Sequence, residues 1–197
     1  SDALWNLNND IVPGYRALSD AVHAEGGRIL AQLAHSGGTV LINQPGLASW
    51  AASPVRSEIN GNIAHEMTLA EIHEVIDAHA EGAKRTAAGG MDGVEILGAF
   101  GFLPQAFLSP LTNHRTDKYG GALKNRLRFL MELLEAVRGA LGRDHVLGVR
   151  LPGDEFEPGA LDLEQMKIIC KQIADTGLID YLNIIAHTNI THLGRSR

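Results

Sequence analysis

The 197-residue chain carries a single cysteine, Cys170. One thiol excludes an internal disulfide and fits a reducing, cytoplasmic compartment. It also excludes an iron–sulfur cluster held by this chain alone, because such clusters take about four thiolates. No apolar run approaches the ~20 residues that span a bilayer, and no charged-then-apolar signal segment opens the sequence. Positive charge is in short supply, with 17 Lys and Arg against 23 Asp and Glu and a net charge of −6. Without a clustered basic patch, neither nucleic acid nor a membrane is an expected partner. The histidines do not make H-E-x-x-H: His73-Glu74 and His79 lie about 240° apart on a helix, so no metal site is expected. The glycine-rich phosphate turn G-x-G-x-x-G is absent as well.

What is present is an alternation of helix and strand. A hydrophobic content of 45% suits one domain with a sizeable core. Pro13 opens a helix that runs to about Ala24 and stops at Gly26-Gly27. Arg28–Ala34 is a short apolar strand, followed by about thirty irregular residues. Thr68-x-x-Glu71 is a capping box that starts a helix ended by Gly89-Gly90. Gly93–Leu97 is a strand. Leu123, Leu127, Leu130, Leu134, Val137 and Leu141 have helical spacing, stopped at Gly142. Val146–Leu151 is a strand, Asp162 precedes a helix through about Thr176, and Tyr181–Ile185 is a strand. Strands separated by helices imply βαβ crossovers and a parallel sheet. The pattern alone leaves a doubly wound sheet open beside a barrel.

The segment from Gly90 to Gly121 is the most informative. After the Gly93–Leu97 strand, more than twenty residues run without a clear element, and compact domains keep such loops for binding or catalysis. A strand whose C-terminal end feeds a long polar loop is how α/β barrels build active sites. Gly93-Val-Glu-Ile96, Phe107-Leu-Ser-Pro110, Asn113, Arg115-Thr-Asp117, Tyr119-Gly-Gly121, Asn125-Arg126 and Arg128-Phe129 together resemble the old yellow enzyme family of NADH:flavin oxidoreductases. The likeness is greatest to the branch with trimethylamine dehydrogenase, dienoyl-CoA reductases and N-methylproline or dimethylglycine demethylases. Gly153-Asp-Glu-Phe156 after Val149-Arg-Leu151 resembles the demethylase-like members.

The resemblance implies a partial TIM (β/α)8 barrel, with residues 1–197 holding about strands three to six of eight in a fragment of an FMN-dependent oxidoreductase domain. It implies FMN as cofactor, a small-molecule substrate, and NAD(P)H or another electron carrier. A 4Fe-4S cluster would sit outside this chain. Half a barrel leaves two sheet edges unpaired, which leaves a homo-oligomer open. With the phosphate-binding loops after strands seven and eight lacking, the chain alone is expected to bind FMN weakly.

Several residues are candidates for chemistry. Gln32 sits in an otherwise apolar strand, and its donor and acceptor match the N–H and C=O edge of a flavin pyrimidine ring. The resemblance gives it that role; the alternative is a core amide bonded to a neighbouring strand. The resemblance places Arg150 at the flavin N1–C2=O edge, the alternative being a salt bridge such as one to Glu95. His35 is a substrate or flavin contact, or equally a loop tether; the Arg of the family's turn is replaced by Gly38. Leu97, Phe100 and Phe102 stand where enone-reducing members carry His, His or Asn, and Tyr. Apolar side chains cannot polarise a carbonyl or deliver a proton. A pocket of aromatic faces suits a methylated ammonium, and hydride abstraction from an N-methyl carbon requires no proton donor there. The competing readings are an enoate or 2,4-dienoyl reductase with altered chemistry, and an inactive, cofactor-free barrel fragment. His187 and His192 follow the last strand and are catalytic candidates against a default of solvated loop residues. Arg115, Asp117 and Arg126 suit salt bridges that pin the long loop to the next helix, with Asp117 near its N-terminal dipole. Asp154, Glu155 and Glu157 read as a solvated acidic turn.

Overall fold

The computed structural model describes residues 4–39, 49–56 and 63–186. In chain order the strands are β1 (Leu30–Leu33), β2 (Trp50–Ala51), β3 (His65–Glu66), β4 (Gly93–Leu97), β5 (Val146–Pro152) and β6 (Tyr181–Ile185). The helices are α1 (Val12–Ala24), α2 (Leu69–Ala88), α3 (Leu103–Leu108), α4 (Leu123–Leu141) and α5 (Leu163–Asp175). β1, β4, β5 and β6 form one parallel sheet in that spatial order, while β2 and β3 pair in parallel as a separate small ribbon.

Local chemistry fixes the helix ends. The Thr68 hydroxyl accepts from the Glu71 amide at 3.2 Å, and the Glu71 carboxylate accepts from the Thr68 amide at 2.7 Å. Both bonds of the capping box are therefore made. Asp162 caps α5 by accepting from the Gln165 amide at 2.8 Å. Gly142 ends α4 at φ +72°, a conformation most side chains resist.

Side chains alternate along each strand, so register decides which residues share a face. Leu33, Val94, Ile96, Leu147, Val149 and Leu151 turn to one side. There they form a single core with Ile72, Val75 and Ile76 of α2, Leu127, Leu130 and Leu134 of α4, and Met166, Ile169 and Ile173 of α5. The sheet thus carries its helices on one face only. That excludes the doubly wound alternative and gives four consecutive strands of a (β/α)8 barrel joined by three helical crossovers, a partial barrel.

The opposite face, the barrel interior, carries Gln32, Glu95, Leu97, Arg150, Tyr181, Asn183 and Ile185. Gln32 pairs with Glu95 and Glu95 with Gly148; Leu97 and Asn183 flank Arg150 on either side.

Three elements escape the sequence pattern. The long loop after β4 contains α3, entered through Phe102 and Leu103 with Pro104 in the first turn, all six of its residues buried. The irregular stretch after β1 contains β2 and β3. All three are too short for periodicity to show.

Candidate active site

The C-terminal ends of the four sheet strands converge. The Leu103 amide donates to the His35 carbonyl at 2.9 Å, Gly98 to Arg150 at 2.8 Å, and Gly153 to Ile185 at 2.8 Å. The segments that leave β1, β4 and β5 are therefore tied at one end of the sheet, the end at which barrels of this kind do chemistry.

Gln32 lies on the interior face and is exposed there, not enclosed as its apolar strand suggests. Its Nε2 donates to Glu95 Oε1 at 2.6 Å. The bond to a neighbouring strand is thus made, and it leaves the rest of the amide open to the interior. Glu95 is buried, and its other oxygen accepts from the Tyr181 hydroxyl and from Asn183 Nδ2, both at 3.0 Å. Tyr181 reaches Glu95 across β5 because Gly148 lies between them: a Cβ on Gly148 would stand 2.1 Å from the Tyr181 ring. Burial, then the Glu95 carboxylate, push the Tyr181 hydroxyl up to about 12, so it remains a donor.

Arg150 shares this face. The salt bridge to Glu95 is not formed, because Glu95 is committed to Gln32, Tyr181 and Asn183. The Arg150 guanidinium instead lies 5.2 Å from the centroid of the Phe100 ring. Its Nε is buried without a hydrogen-bond partner among the described residues. A buried donor without an acceptor costs about 1–3 kcal/mol, and a native site that tolerates one is usually completed by something else.

Phe100 adopts φ +58°. A left-handed phenylalanine costs about 1–3 kcal/mol and persists only where surrounding packing dictates it. Here Leu97, Ala99 and Ile185 form a small buried cluster, with Phe100 and Phe102 packed against it. The apolar lining is therefore real, but one face of Phe100 is occupied by Arg150, which leaves less aromatic surface for a substrate cation.

His35 is half-buried and stacks on Trp50, ring centroids 6.2 Å apart and 16° from parallel. Its Nδ1 accepts from the Gly37 amide at 3.1 Å, which leaves Nε2 as the protonated nitrogen. Burial, helped by His79 nearby, lowers its pKa to about 4. At neutral pH it is an uncharged donor with one nitrogen spent on holding its own loop. His187 and His192 lie outside the described residues.

The acidic turn departs from expectation. Asp154 is a capping residue, accepting from the amides of Phe156 at 2.6 Å and Leu163 at 3.0 Å. Glu155 is fully buried rather than solvated. It accepts from Gln105 Nε2 at 2.8 Å, Ser109 Oγ at 2.7 Å and the Leu161 amide at 2.9 Å, and burial raises its pKa. It joins the loop after β5 to α3. No sequence signal separates it from its acidic neighbours.

Arg115 is buried and pairs with Asp117 at 2.6 Å, while its Nη1 donates to the carbonyls of Met67 at 2.7 Å and Ala52 at 3.1 Å. It pins the long loop to the segments before α2. Asp117 accepts from the Tyr119 amide at 2.9 Å and so closes a turn. It does not sit at the start of α4, whose N-cap is Ala122. Arg126 donates to the Leu108 carbonyl at 2.7 Å and to the Gly121 carbonyl.

Over residues 2–195 the chain matches the NADH:flavin oxidoreductase / NADH oxidase family. It is 41% identical over 179 residues to a metal reductase of Desulforamulus reducens, covering 89% of this chain and 26% of that protein. It is 42% identical over 186 residues to a probable N-methylproline demethylase of Rhizobium meliloti, covering 92% and 27%. With an N,N-dimethylglycine/sarcosine dehydrogenase of Chromohalobacter salexigens it shares 37% over 191 residues, covering 95% and 27%. A solved 2-naphthoyl-CoA reductase complex superposes with a TM-score of 0.84 at 33% identity, covering 90% of this chain and 29% of that one. The chain spans about a quarter of the length of these curated relatives.

Proposed function

Because the chain belongs to the NADH:flavin oxidoreductase / NADH oxidase family, we propose that residues 1–197 are the central part of an FMN-dependent oxidoreductase barrel whose substrate is an N-methylated amine or amino acid. FMN, when bound, supplies the hydride-accepting centre. The residues present fit such a group. Arg150 offers a buried N–H with no acceptor among the described residues, and Gln32 offers an exposed amide on the same interior face. Arg150 would stabilise negative charge on the flavin, and Gln32 would read its pyrimidine edge. His35, neutral and tethered, would line the pocket beside them. His187 and His192 stand after β6 as candidates for proton handling. NAD(P)H or another electron carrier would complete the redox cycle.

The observation that carries the substrate class is the apolar packing of Leu97, Phe100 and Phe102 at positions where the resemblance implies polar side chains in enone reducers. No group there can hydrogen-bond a substrate carbonyl or protonate a product. An enone would forgo hydrogen bonds worth about 1.5–3 kcal/mol each where charge develops. An amine makes no such demand. The names of two relatives, a demethylase of N-methylproline and a dehydrogenase of dimethylglycine, support this reading. The 2-naphthoyl-CoA reductase likeness supports reduction of a conjugated substrate as the second reading.

The deciding experiment is anaerobic stopped-flow on the flavoprotein encoded by the complete reading frame. Dimethylglycine or N-methylproline should bleach the bound flavin faster than cyclohexenone reoxidises the reduced form. Fast reoxidation by the enone with no amine-driven bleaching overturns the amine reading and leaves the reductase.

A further inference from the structure

Three side chains from two strands meet at one carboxylate on a third. Gln32 of β1 donates to Glu95 Oε1, while Tyr181 and Asn183 of β6 donate to Glu95 Oε2. Glu95 itself stands on β4, and β5 passes beneath the bridge through Gly148, which has no side chain to block it. A carboxylate offers acceptors only, whereas a primary amide has a donor end and an acceptor end that can exchange by a half-turn of the side chain. Gln32 is exposed on the interior face, so packing does not hold its amide; Glu95 does.

We propose that Glu95 is a positioning residue that fixes the orientation of the Gln32 amide, so that its carbonyl oxygen is presented to the interior as the acceptor for a flavin N3–H. This rests on the flavin reading above and adds to it the residue on which the recognition depends. The bond is short, 2.6 Å, and the second Glu95 oxygen is held by two donors, so the carboxylate cannot turn away without breaking both. With Glu95 in place, turning the amide over would set two acceptor oxygens 2.6 Å apart, a like-with-like contact that excludes the flipped state. Without it, either end of the amide can face the flavin, and the edge that accepts N3–H is lost half of the time or more. The raised pKa of Tyr181 fits the same arrangement, since its hydroxyl is kept as a donor to Glu95.

The test is binding, not turnover. FMN and 3-methyl-FMN, in which the N3 hydrogen is replaced, are titrated by fluorescence quenching into the protein of the complete reading frame. The wild type should prefer FMN by about tenfold or more, the worth of one buried hydrogen bond with its partner lost. Glu95→Gln should cut that preference to about threefold or less, as should Gln32→Ala, and the two together should do no more than either alone. A Glu95→Gln protein that keeps the full preference overturns the inference. A wild type that binds neither flavin overturns the flavin reading itself. Should Glu95→Gln fail to fold, the side-chain amide of Gln32 in unmodified protein answers by 15N NMR. One Nε2 proton displaced downfield and protected from exchange before flavin is added supports the inference, and two equivalent, solvent-like protons overturn it.

Discussion

Replacing Gly148 by alanine tests the interior layer at its tightest point. The added Cβ would stand 2.1 Å from Tyr181 Cζ, and 2.3 and 2.6 Å from the two Cε atoms. No carbon sits that close to a ring, so the ring must move. Overpacking of this kind costs about 1–3 kcal/mol. A displaced Tyr181 also forfeits its bond to the Glu95 carboxylate, worth about 1.5–3 kcal/mol for a charged acceptor. Against these, alanine stiffens the unfolded chain and returns about 0.4–1 kcal/mol. The net expectation is a loss of about 2–5 kcal/mol. In urea, with a slope of about 2 kcal/mol per molar, the midpoint should fall by about 1–2.5 M. The cause is isolated by a double-mutant cycle. Tyr181→Ala alone loses the hydrogen bond and ring packing, but in its background Gly148→Ala meets no ring. The pair should therefore cost at least about 1.5 kcal/mol less than the sum of the singles. A Gly148→Ala loss below about 1 kcal/mol, or strict additivity with Tyr181→Ala, would refute the claim that Tyr181 reaches Glu95 across a side-chain gap.

Three further outcomes are expected. Lowering the pKa of His35 from 6.5 to about 4 favours the neutral ring in the folded state, so its contribution is complete above pH 6.5 and is lost as pH falls toward 4. At about 1.36 kcal/mol per pH unit this amounts to at most about 3 kcal/mol, and urea curves of wild type and His35→Leu should diverge in slope between pH 7 and 4.5; parallel curves count against it. Glu155→Ala strands the donors of Gln105, Ser109 and Leu161, and should lose about 3–5 kcal/mol in equilibrium urea unfolding. Because burial raises the Glu155 pKa, the wild-type advantage should be widest near pH 4 and shrink as pH rises through the folded value, and a gap that widens with pH contradicts this. Leu97→His with Phe100→Asn restores carbonyl hydrogen bonding at a backbone position, φ +58°, that asparagine tolerates well. Enone-driven reoxidation of the flavin should rise about 10–100-fold, and an unchanged rate removes those positions from substrate recognition.

The large elements were legible because their signals are local. The capping box at Thr68, Gly142 after α4, and the apolar spacing of Leu123 through Leu141 each act within a turn or two, and the helices lie where those signals place them. The strands Gly93–Leu97 and Tyr181–Ile185 are as read, while Arg28–Ala34 shrinks to Leu30–Leu33 because only four residues find partners on β4. What could not be read depends on register. Glu95 becomes a hub only because it is opposite Gln32 and, across Gly148, within reach of Tyr181. Its isolation in an apolar strand was visible; its partners, 63, 86 and 88 residues away, were not. Glu155 illustrates the same limit from the other side, since burial of one carboxyl among three neighbours is decided by where α3 packs.

The two faces of the site answer to different parts of the chain, and this bears on how substrate choice changes. Gln32, Glu95, Arg150, Tyr181 and Asn183 project from the sheet strands, whose opposite face is locked into the main core with α2, α4 and α5. Leu97, Ala99 and Ile185, with Phe100 and Phe102 against them, form a separate cluster at the strand ends that does not merge with that core. Substitutions in the small cluster therefore leave the strand register, and with it the Gln32–Glu95 pair, in place. Polar side chains can give way to Leu and Phe there without loosening the proposed cofactor grip. The coupling runs through the Phe100 ring over Arg150 and through Leu97, the strand neighbour of Arg150. A change at Phe100 or Leu97 is thus expected to touch both functions, while a change at Phe102 should alter substrate preference alone.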